Sequence, residues 1–204
     1  MSGDGLEAAR RRRLFFVRHG ETDWNVAGRL QGRRDVPLNT LGRVQASRIG
    51  RLLPRLVGEP LHSLHFVSSP MARTLETMRI LRTALDLPVN EFATDIRLAE
   101  LSFGEWEGKT WPQLRRSDFD SVRKRDEDPW HFAPPGGESY HDLSLRLDAA
   151  LVDVQQDSII VTHGGVIRTA LNVLAGMPPQ DAAHLPVRQG AVYVVEGGRF
   201  QVAD

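Results

Sequence analysis

Residues 14–25 read LFFVRHGETDWN, and the architecture of the chain can be worked out from this segment. Its first four residues form a continuous apolar run, which is typical of a strand that is buried on both faces of a sheet. Arg18 and His19 follow this run directly, and Gly20 lets the chain turn. The segment therefore predicts a cation and an imidazole at the carboxyl end of a buried strand, which is where open α/β sheets bind ligands.

The composition of the 204-residue chain is that of an ordinary globular domain, with 41% hydrophobic and 25% charged residues. Lys+Arg and Asp+Glu number 26 each, so no overall field favours nucleic acid or an acidic membrane as a partner. The chain has no cysteine, which excludes disulfides, thiolate metal sites and a cysteine nucleophile. No apolar run approaches the ~20 residues of a membrane span. We therefore expect a cytoplasmic protein.

Apolar patterns along the rest of the chain alternate between strands and helices. LHFVSS (64–69) and SIIVT (158–162) predict two more buried strands, and AVYVVEGGRFQVA (191–203) predicts a hairpin. The first predicted helix runs from a cap at Asn39 or Thr40 to about Leu53 and has Val44 and Ile49 on its apolar face. Further helices are predicted over 71–85, over 138–154 with Ser139 as N-cap, and from Gly164 to about Leu174. This alternation predicts an α/β protein: a three-layer α/β/α sandwich with a mostly parallel mixed sheet.

Two segments are predicted to lie outside that pattern. Residues 1–13 end in four arginines and are expected to form a disordered basic lead before a single domain at 14–204. We interpret this lead as a solvated tail in preference to an arm that binds nucleic acid or lipid. Residues 94–138 hold three of the four tryptophans and are expected to be an insertion with short helices. We expect this insertion to cover the site without forming a second core.

The three buried strands all deliver polar side chains to the same edge of the predicted sheet. The first is followed by Arg18 and His19. The second ends in Ser68 and Ser69, with Arg73 one turn later in a helix, and the third is followed by His163 at a helix start led by Gly164. Guanidinium groups match phosphate oxygens bidentately, and helix N-terminal amides add further donors. The arrangement predicts an anion site, with phosphate as the ligand.

Five motifs occur in order along the chain: RHGETDWN (18–25), SSPMARTLET (68–77), LAELSFGEWEG (98–108), PGGES (135–139) and VTHGG (161–165). In sequence and order they resemble those of the histidine phosphatase superfamily, which contains the cofactor-dependent phosphoglycerate mutases and related phosphatases. The resemblance runs from about residue 14 to 195. It implies a phosphoglycerate-mutase-like fold with a small helical insertion over the site.

The resemblance also implies roles for individual residues. His19 is expected to be the nucleophile that accepts the phosphoryl group, and Glu100 the proton donor. The remaining implied contacts to the phosphate or substrate are made by Arg18, Arg73, His163, Asn25 and Gly164, with Gln31 and Gly32 near the substrate entrance. The chemistry agrees with this, because a neutral imidazole is a competent nucleophile near pH 7 and phosphoryl transfer needs mainly positioning and charge stabilisation. Neither a metal nor a cofactor is expected.

Several residues keep more than one interpretation. Glu105 and Glu107 compete with Glu100 for the proton-donor role. Glu138 either orients Arg18 or a histidine, or only begins a helix. His62 and His65 are close enough in sequence to suggest a metal-binding pair, but no third ligand is suitably spaced, so ordinary roles are favoured. Trp106 and Trp111 either pack within the insertion, which is favoured, or form a wall of the substrate site.

The predicted function is hydrolysis of a small phosphomonoester through a phosphohistidine. The segment 101–135 is short, and its cations do not fall at the spacing of the mutases, so a phosphatase is favoured over a phosphoglycerate mutase. A non-catalytic phosphate-binding or scaffold protein is the alternative from another class. The leaving group is open among sugar phosphates, α-ribazole phosphate, glycerates and phosphoproteins, and the oligomeric state is open, a homodimer included.

Overall fold

Six strands and nine helices make up the described part of the chain, residues 3–58 and 60–204 of a computed structural model. The strands are β1 (Leu14–Arg18), β2 (His65–Ser68), β3 (Ala93–Thr94), β4 (Ser158–Thr162), β5 (Val192–Glu196) and β6 (Arg199–Ala203). The helices are α1 (Gly3–Arg10), α2 (Asp23–Val26), α3 (Thr40–Val57), α4 (Ala72–Ala84), α5 (Trp111–Ser117), α6 (Phe119–Glu127), α7 (Tyr140–Val152), α8 (Gly164–Ala175) and α9 (Pro179–His184). Single 3-10 turns lie at Leu61–Ser63, Ile96–Leu98 and Gly104–Trp106.

The strands form one mixed sheet in the order β3-β2-β4-β1-β5-β6. β1, β2, β3 and β4 run parallel, whereas β5 and β6 form the predicted antiparallel hairpin at one side. Phe15 of β1 lies between Ile159 of β4 and Val194 of β5, so the opening segment occupies the middle of the sheet. The order places the carboxyl ends of β2, β4 and β1 next to one another, and the predicted site residues follow these three ends.

Side chains of β1 alternate between the two faces of the sheet, and both faces are covered by helices. Phe15 and Val17 pack with apolar residues of α3 and α4, whereas Leu14 and Phe16 pack with those of α7 and α8. All four are at most 1% exposed. The three-layer α/β/α sandwich predicted from the sequence is therefore confirmed.

The predicted helix caps are present, although one helix boundary and one buried position differ. Asn39 caps α3 by accepting a hydrogen bond from the amide of Gly42 (2.8 Å), and Ser139 forms a capping box with Asp142 at the start of α7. α3 continues past Pro54 to Val57, four residues beyond the predicted end. Val44 was expected on its apolar face but is 59% exposed, because the sheet-facing stripe of this helix runs through Ile49 instead.

Residues 3–10 form helix α1, so for this part the expected disordered lead is wrong; residues 1 and 2 lie outside the described residues. Ala9 is fully buried, and Leu6 packs against the core cluster that contains α7. The Arg10 guanidinium donates to the carbonyl of Val173 (2.8 Å) in α8. These contacts with distant parts of the chain stabilise the helix, whereas its own short sequence has too few apolar side chains to show a helical period.

The insertion at 94–138 contains α5 and α6, as the sequence predicts, but it also has a small apolar cluster of its own. Trp106, Leu114 and Val122 form this cluster, and each is at most 2% exposed. The expectation that the segment forms no second core is therefore wrong, because Leu114 of α5 and Val122 of α6 pack together with the Trp106 ring. Among the described residues, no helix is long and apolar enough to cross a membrane.

Candidate active site

The structure gathers the predicted residues at the carboxyl ends of three adjacent parallel strands. Arg18 is the last residue of β1 and His19 follows it, while His163 follows β4 and precedes α8. Arg73 lies in the first turn of α4, which begins four residues after β2 ends. The pairing of the strands explains why these residues lie close together, because β1 and β4 run parallel with Arg18 beside Thr162.

The two histidines lie side by side in the protein interior. Their ring centroids are 5.2 Å apart, edge to face, and each residue is at most 2% exposed. Nδ1 of His19 lies 2.8 Å from the carbonyl of Gly20, which can only accept, so Nδ1 carries the proton and Nε2 keeps its lone pair. Burial, reinforced by Arg73 and Arg18, holds the pKa of His19 well below its ordinary value and keeps the ring neutral.

His163 is held by a residue that the sequence reasoning left without a role. Its Nε2 lies 2.8 Å from the hydroxyl of Ser69, directly after β2. Burial and the nearby Arg73 lower the pKa of His163 as they do that of His19. The sequence predicted Ser69 at the carboxyl end of its strand, but it gave no sign of the contact with His163.

Two guanidinium groups flank the histidines, the buried one of Arg73 and the partly buried one of Arg18. Arg73 is fully buried and donates to the carbonyls of Gly32 (2.8 Å) and Arg34 (2.7 Å), whereas Arg18 donates to the carbonyl of Val187. Burial lowers the pKa of Arg18 to about 10 and also lowers the pKa of Arg73, while Glu100 opposes both shifts. Removing cations from water is unfavourable without a counter-charge, so this pair favours a bound anion.

Several buried polar atoms in this region have no hydrogen-bond partner among the described residues: Arg18 Nε, Arg73 Nε, Gln31 Oε1 and His163 Nδ1. Native proteins rarely leave such groups unpaired, and their convergence is therefore a sign of a ligand site. Three of the four can donate a hydrogen bond, which suits the oxygens of a phosphate.

Glu100 lies at the amino end of α8. Its carboxylate accepts hydrogen bonds from the amides of Gly165 (3.1 and 3.3 Å) and Leu101 (2.9 Å). Glu107 instead accepts from the amide of Arg33 (2.9 Å) and pairs with Arg34 (3.4 Å). Glu107 thus braces the loop whose carbonyls hold Arg73, and Glu100 is the carboxylate that faces both guanidinium groups.

The structure gives Glu138 a contact that neither interpretation from the sequence foresaw. Arg146 of α7 donates to both of its carboxylate oxygens (2.6 and 3.0 Å) and to the backbone carbonyl of Glu100 (3.2 Å). The pair therefore fixes the chain segment that carries Glu100. Arg146 follows Glu138 by eight residues and is separated from Glu100 by 46, so no local pattern pointed to it.

Asn25, Gln31, Gly32 and Gly164, the other residues predicted to contact phosphate or substrate, occupy four different local environments. Oδ1 of Asn25 accepts from the amide of Thr22 (3.1 Å) in a capping box, so this oxygen is already engaged within the first motif. Gln31 is buried, and Gly32 has φ +51° with its carbonyl on Arg73. Gly164 is the first residue of α8, and a Cβ built there would lie 3.6 Å from Arg18 Nε.

Within the described residues, no group of three or more His, Asp or Glu side chains is arranged as a metal ligand set. His65 begins β2 and His62 lies in the turn before it, at the end of the strand opposite to His19. Both are exposed.

The carboxyl ends of the parallel strands thus bring together two histidines, two guanidinium groups and one carboxylate, a set of groups suited to phosphoryl transfer. Comparison with known sequences identifies the family: residues 14–202 match the model of the histidine phosphatase superfamily (branch 1). The chain belongs to this superfamily, and the resemblance inferred from its motifs is confirmed.

Individual relatives match over nearly the whole chain. An acid phosphatase of Mycobacterium tuberculosis is 34% identical over 95% of this chain and 92% of its own length. A probable phosphoglycerate mutase of Salmonella paratyphi C is 31% identical over 88% of this chain and 82% of its own. Among solved structures, a mycobacterial glucosyl-3-phosphoglycerate phosphatase in complex with VO3 superimposes with a TM-score of 0.76 at 29% identity, covering 94% of this chain and 97% of that one.

Proposed function

We propose that this protein hydrolyses small phosphomonoesters through a covalent phosphohistidine on His19. The observation that carries the proposal is the state of His19: a buried, neutral ring with Nε2 unprotonated, between two guanidinium groups and beside a second histidine. Vanadate adopts the geometry of a phosphoryl group in transfer, and a related phosphatase has been solved with VO3.

In the first step, Nε2 of His19 attacks phosphorus and the bond from phosphorus to the substrate oxygen breaks. Glu100 gives its proton to that oxygen, so the product leaves as a neutral alcohol. Arg18 and Arg73 stabilise the charge on the equatorial oxygens, because both are held by hydrogen bonds to backbone carbonyls and need no reorganisation during the reaction.

In the second step, water attacks the phosphohistidine from the side vacated by the alcohol. Glu100, now a carboxylate, accepts a proton from this water while the bond between nitrogen and phosphorus breaks. The products are inorganic phosphate, neutral His19 and protonated Glu100, so the enzyme returns to its starting state.

Phosphatase activity is favoured over mutase activity by the short segment 101–135 and by the acid phosphatase relative. The relative that is a probable phosphoglycerate mutase keeps the second activity as a candidate. Assays with 2,3-bisphosphoglycerate and 3-phosphoglycerate distinguish the two, since a mutase returns the phosphoryl group to the glycerate whereas a phosphatase releases it to water. The cytoplasmic location and the oligomeric state stay predictions.

The phosphohistidine is tested by rapid mixing with p-nitrophenyl phosphate followed by an alkaline quench. The adduct should be stable in base, labile in acid and located on His19. His19→Ala should lower kcat by at least ~10³-fold, as loss of a covalent nucleophile does in other enzymes. His62→Ala removes an exposed histidine at the other end of β2 and serves as the control. Normal turnover in folded His19→Ala would exclude the proposed intermediate.

A further inference from the structure

The hydroxyl of Ser69 lies between the end of β2 and the second histidine of the site. Its oxygen is 2.8 Å from Nε2 of His163, and the amide of Met71 donates to the same oxygen at 3.5 Å. The backbone of Ser69 is fixed separately, since its amide donates to the carbonyl of Val161 (2.9 Å) and its carbonyl accepts from the hydroxyl of Ser68 (2.8 Å). Ser69 is fully buried, so protein groups and not bulk water decide where its hydroxyl proton points.

The surroundings of His163 allow its ring only one proton. Burial is the main cause of the lowered pKa of His163. The positive charges of Arg73 in α4, Arg18 in β1 and Arg146 in α7 lower it further, and the neighbouring ring of His19 acts in the same direction. The ring is therefore neutral in the free protein, with one nitrogen protonated and the other carrying a lone pair.

The hydrogen bonds of the Ser69 hydroxyl decide which nitrogen of His163 carries that proton. The hydroxyl has one proton to give, and the amide of Met71 is a donor and cannot accept it. Among the described residues, Nε2 of His163 is the only acceptor bonded to this hydroxyl. A buried hydroxyl whose proton is left without an acceptor is unfavourable. Ser69 therefore donates to Nε2, and the ring proton lies on Nδ1.

The two histidines thus have the same tautomer but keep opposite nitrogens free. His19 uses its Nδ1 proton on the carbonyl of Gly20 (2.8 Å), so its free nitrogen is Nε2 with a lone pair. His163 uses its Nε2 lone pair on Ser69, so its free nitrogen is the protonated Nδ1, which is buried and has no partner within the described part of the chain. The first ring can attack phosphorus, whereas the second can only donate a hydrogen bond to a phosphoryl oxygen.

We propose that Ser69 is a positioning residue whose hydroxyl sets the tautomer of His163, so that Nδ1 of a neutral ring donates to a phosphoryl oxygen. The part of the proposal that concerns the phosphoryl group rests on the function proposed above. Which nitrogen of a histidine is protonated depends on the hydrogen bond that the other nitrogen makes. Without the hydroxyl, the imidazole returns to its intrinsically preferred tautomer with the proton on Nε2. The Nδ1 lone pair then repels the phosphoryl oxygens.

Long-range NMR correlations between the ring protons and ring nitrogens of the free protein at neutral pH test the tautomer directly. In the wild type, Nδ1 of His163 should be protonated and Nε2 should carry the lone pair; the signals are assigned by their loss in His163→Gln. In Ser69→Ala the proton should move to Nε2, while His19 keeps its tautomer because the carbonyl of Gly20 is unchanged. A protonated Nε2 in the wild type, or an unchanged His163 tautomer in folded Ser69→Ala, overturns the proposal.

The single-turnover rate of phosphoenzyme formation tests the consequence of the tautomer. Ser69→Ala should lower this rate by at least about tenfold for alkyl and aryl phosphates alike, because a hydrogen bond to a charged oxygen common to both is lost. Ser158→Ala is the matched control: Ser158 is equally buried, and its hydroxyl donates to the carbonyl of Gln156 (2.8 Å) at the other end of β4 from His163. The control should keep the wild-type rate and the wild-type tautomer. An undiminished rate in folded Ser69→Ala refutes the role of the hydroxyl.

Failure of this proposal is distinguishable from failure of the proposed function. The tautomer is read in the wild-type protein without substrate, so this measurement depends neither on turnover nor on the folding of Ser69→Ala. If the wild type forms no phosphohistidine with p-nitrophenyl phosphate, the proposed function is wrong whatever the tautomer. If the adduct forms but Nε2 of His163 is protonated, only the role of Ser69 is wrong.

Discussion

Gly165→Ala tests where the Glu100 carboxylate must stand during proton transfer. A Cβ built on Gly165 would lie 2.4 Å from Glu100 Oε1 and 3.3 Å from the Cβ of Leu101. Ordinary carbon–oxygen contact begins at about 3.4 Å, so the carboxylate has to withdraw by about 1 Å. The obstructing atom ends a flexible side chain and Ala has a higher helix propensity than Gly by about 1 kcal/mol, so the fold should tolerate the change.

The size of the expected effect follows from that displacement. Misplacing a reacting group by about 1 Å lowers a rate by about 10²-fold, which corresponds to about 2.7 kcal/mol in the barrier. The rate should fall for alkyl phosphates, because their leaving alkoxide needs the proton. The loss should be small for p-nitrophenyl phosphate, because p-nitrophenolate leaves without one. Glu100→Gln sets the upper limit of the effect.

The measurement is the single-turnover rate of phosphoenzyme formation, so that slow breakdown of the intermediate does not mask the difference. Gly164→Ala is the matched control: its Cβ would lie 3.6 Å from Arg18 Nε and from Arg168 Nη1, which is ordinary contact, and it should keep the wild-type ratio of alkyl to aryl rates. A wild-type ratio in folded Gly165→Ala, or equal losses on both substrates in Glu100→Gln, would show that Glu100 is not the proton donor.

Three further predictions follow. Arg73→Ala should slow phosphoenzyme formation from alkyl and aryl phosphates alike, because equatorial charge is common to both transition states; a selective loss in single-turnover rates would contradict this. Treatment with a chelator should leave kcat unchanged while vanadate inhibits, and recovery of a chelated enzyme with a divalent ion would refute metal independence. The lowered pKa values of His19 and His163 mean that their stabilising contribution is complete above their unfolded value of about 6.5 and is lost as pH falls toward the folded values. Each contributes up to about 1.4 kcal/mol per pH unit to the free energy of unfolding, so urea titrations of the His19→Gln/His163→Gln variant should show a flatter dependence below pH 6.5 than the wild type.

The convergence of the main site residues could be predicted because it depends on the parallel direction of the buried strands. Arg18, His19 and His163 follow buried strands whose apolar runs are continuous in the sequence, and parallel strands in one sheet have their carboxyl ends at the same edge. The family follows from five ordered motifs for the same reason, since each motif is local. Asn39 and Ser139 were recognisable as caps because a cap bonds within its own first turn.

Other features depend on contacts between residues that are far apart in the chain, and only the tertiary structure decided them. Helix α1 is held by Val173, 163 residues from Arg10. Arg73 is aimed by carbonyls of the loop at Gly32 and Arg34, and the segment of Glu100 is braced through Arg146. The apolar cluster of Trp106, Leu114 and Val122 likewise forms only when α5 and α6 pack against each other. Local patterns determine where strands and caps form, whereas the direction of a long side chain and the shape of a cavity are set by whichever distant groups the completed fold places beside them.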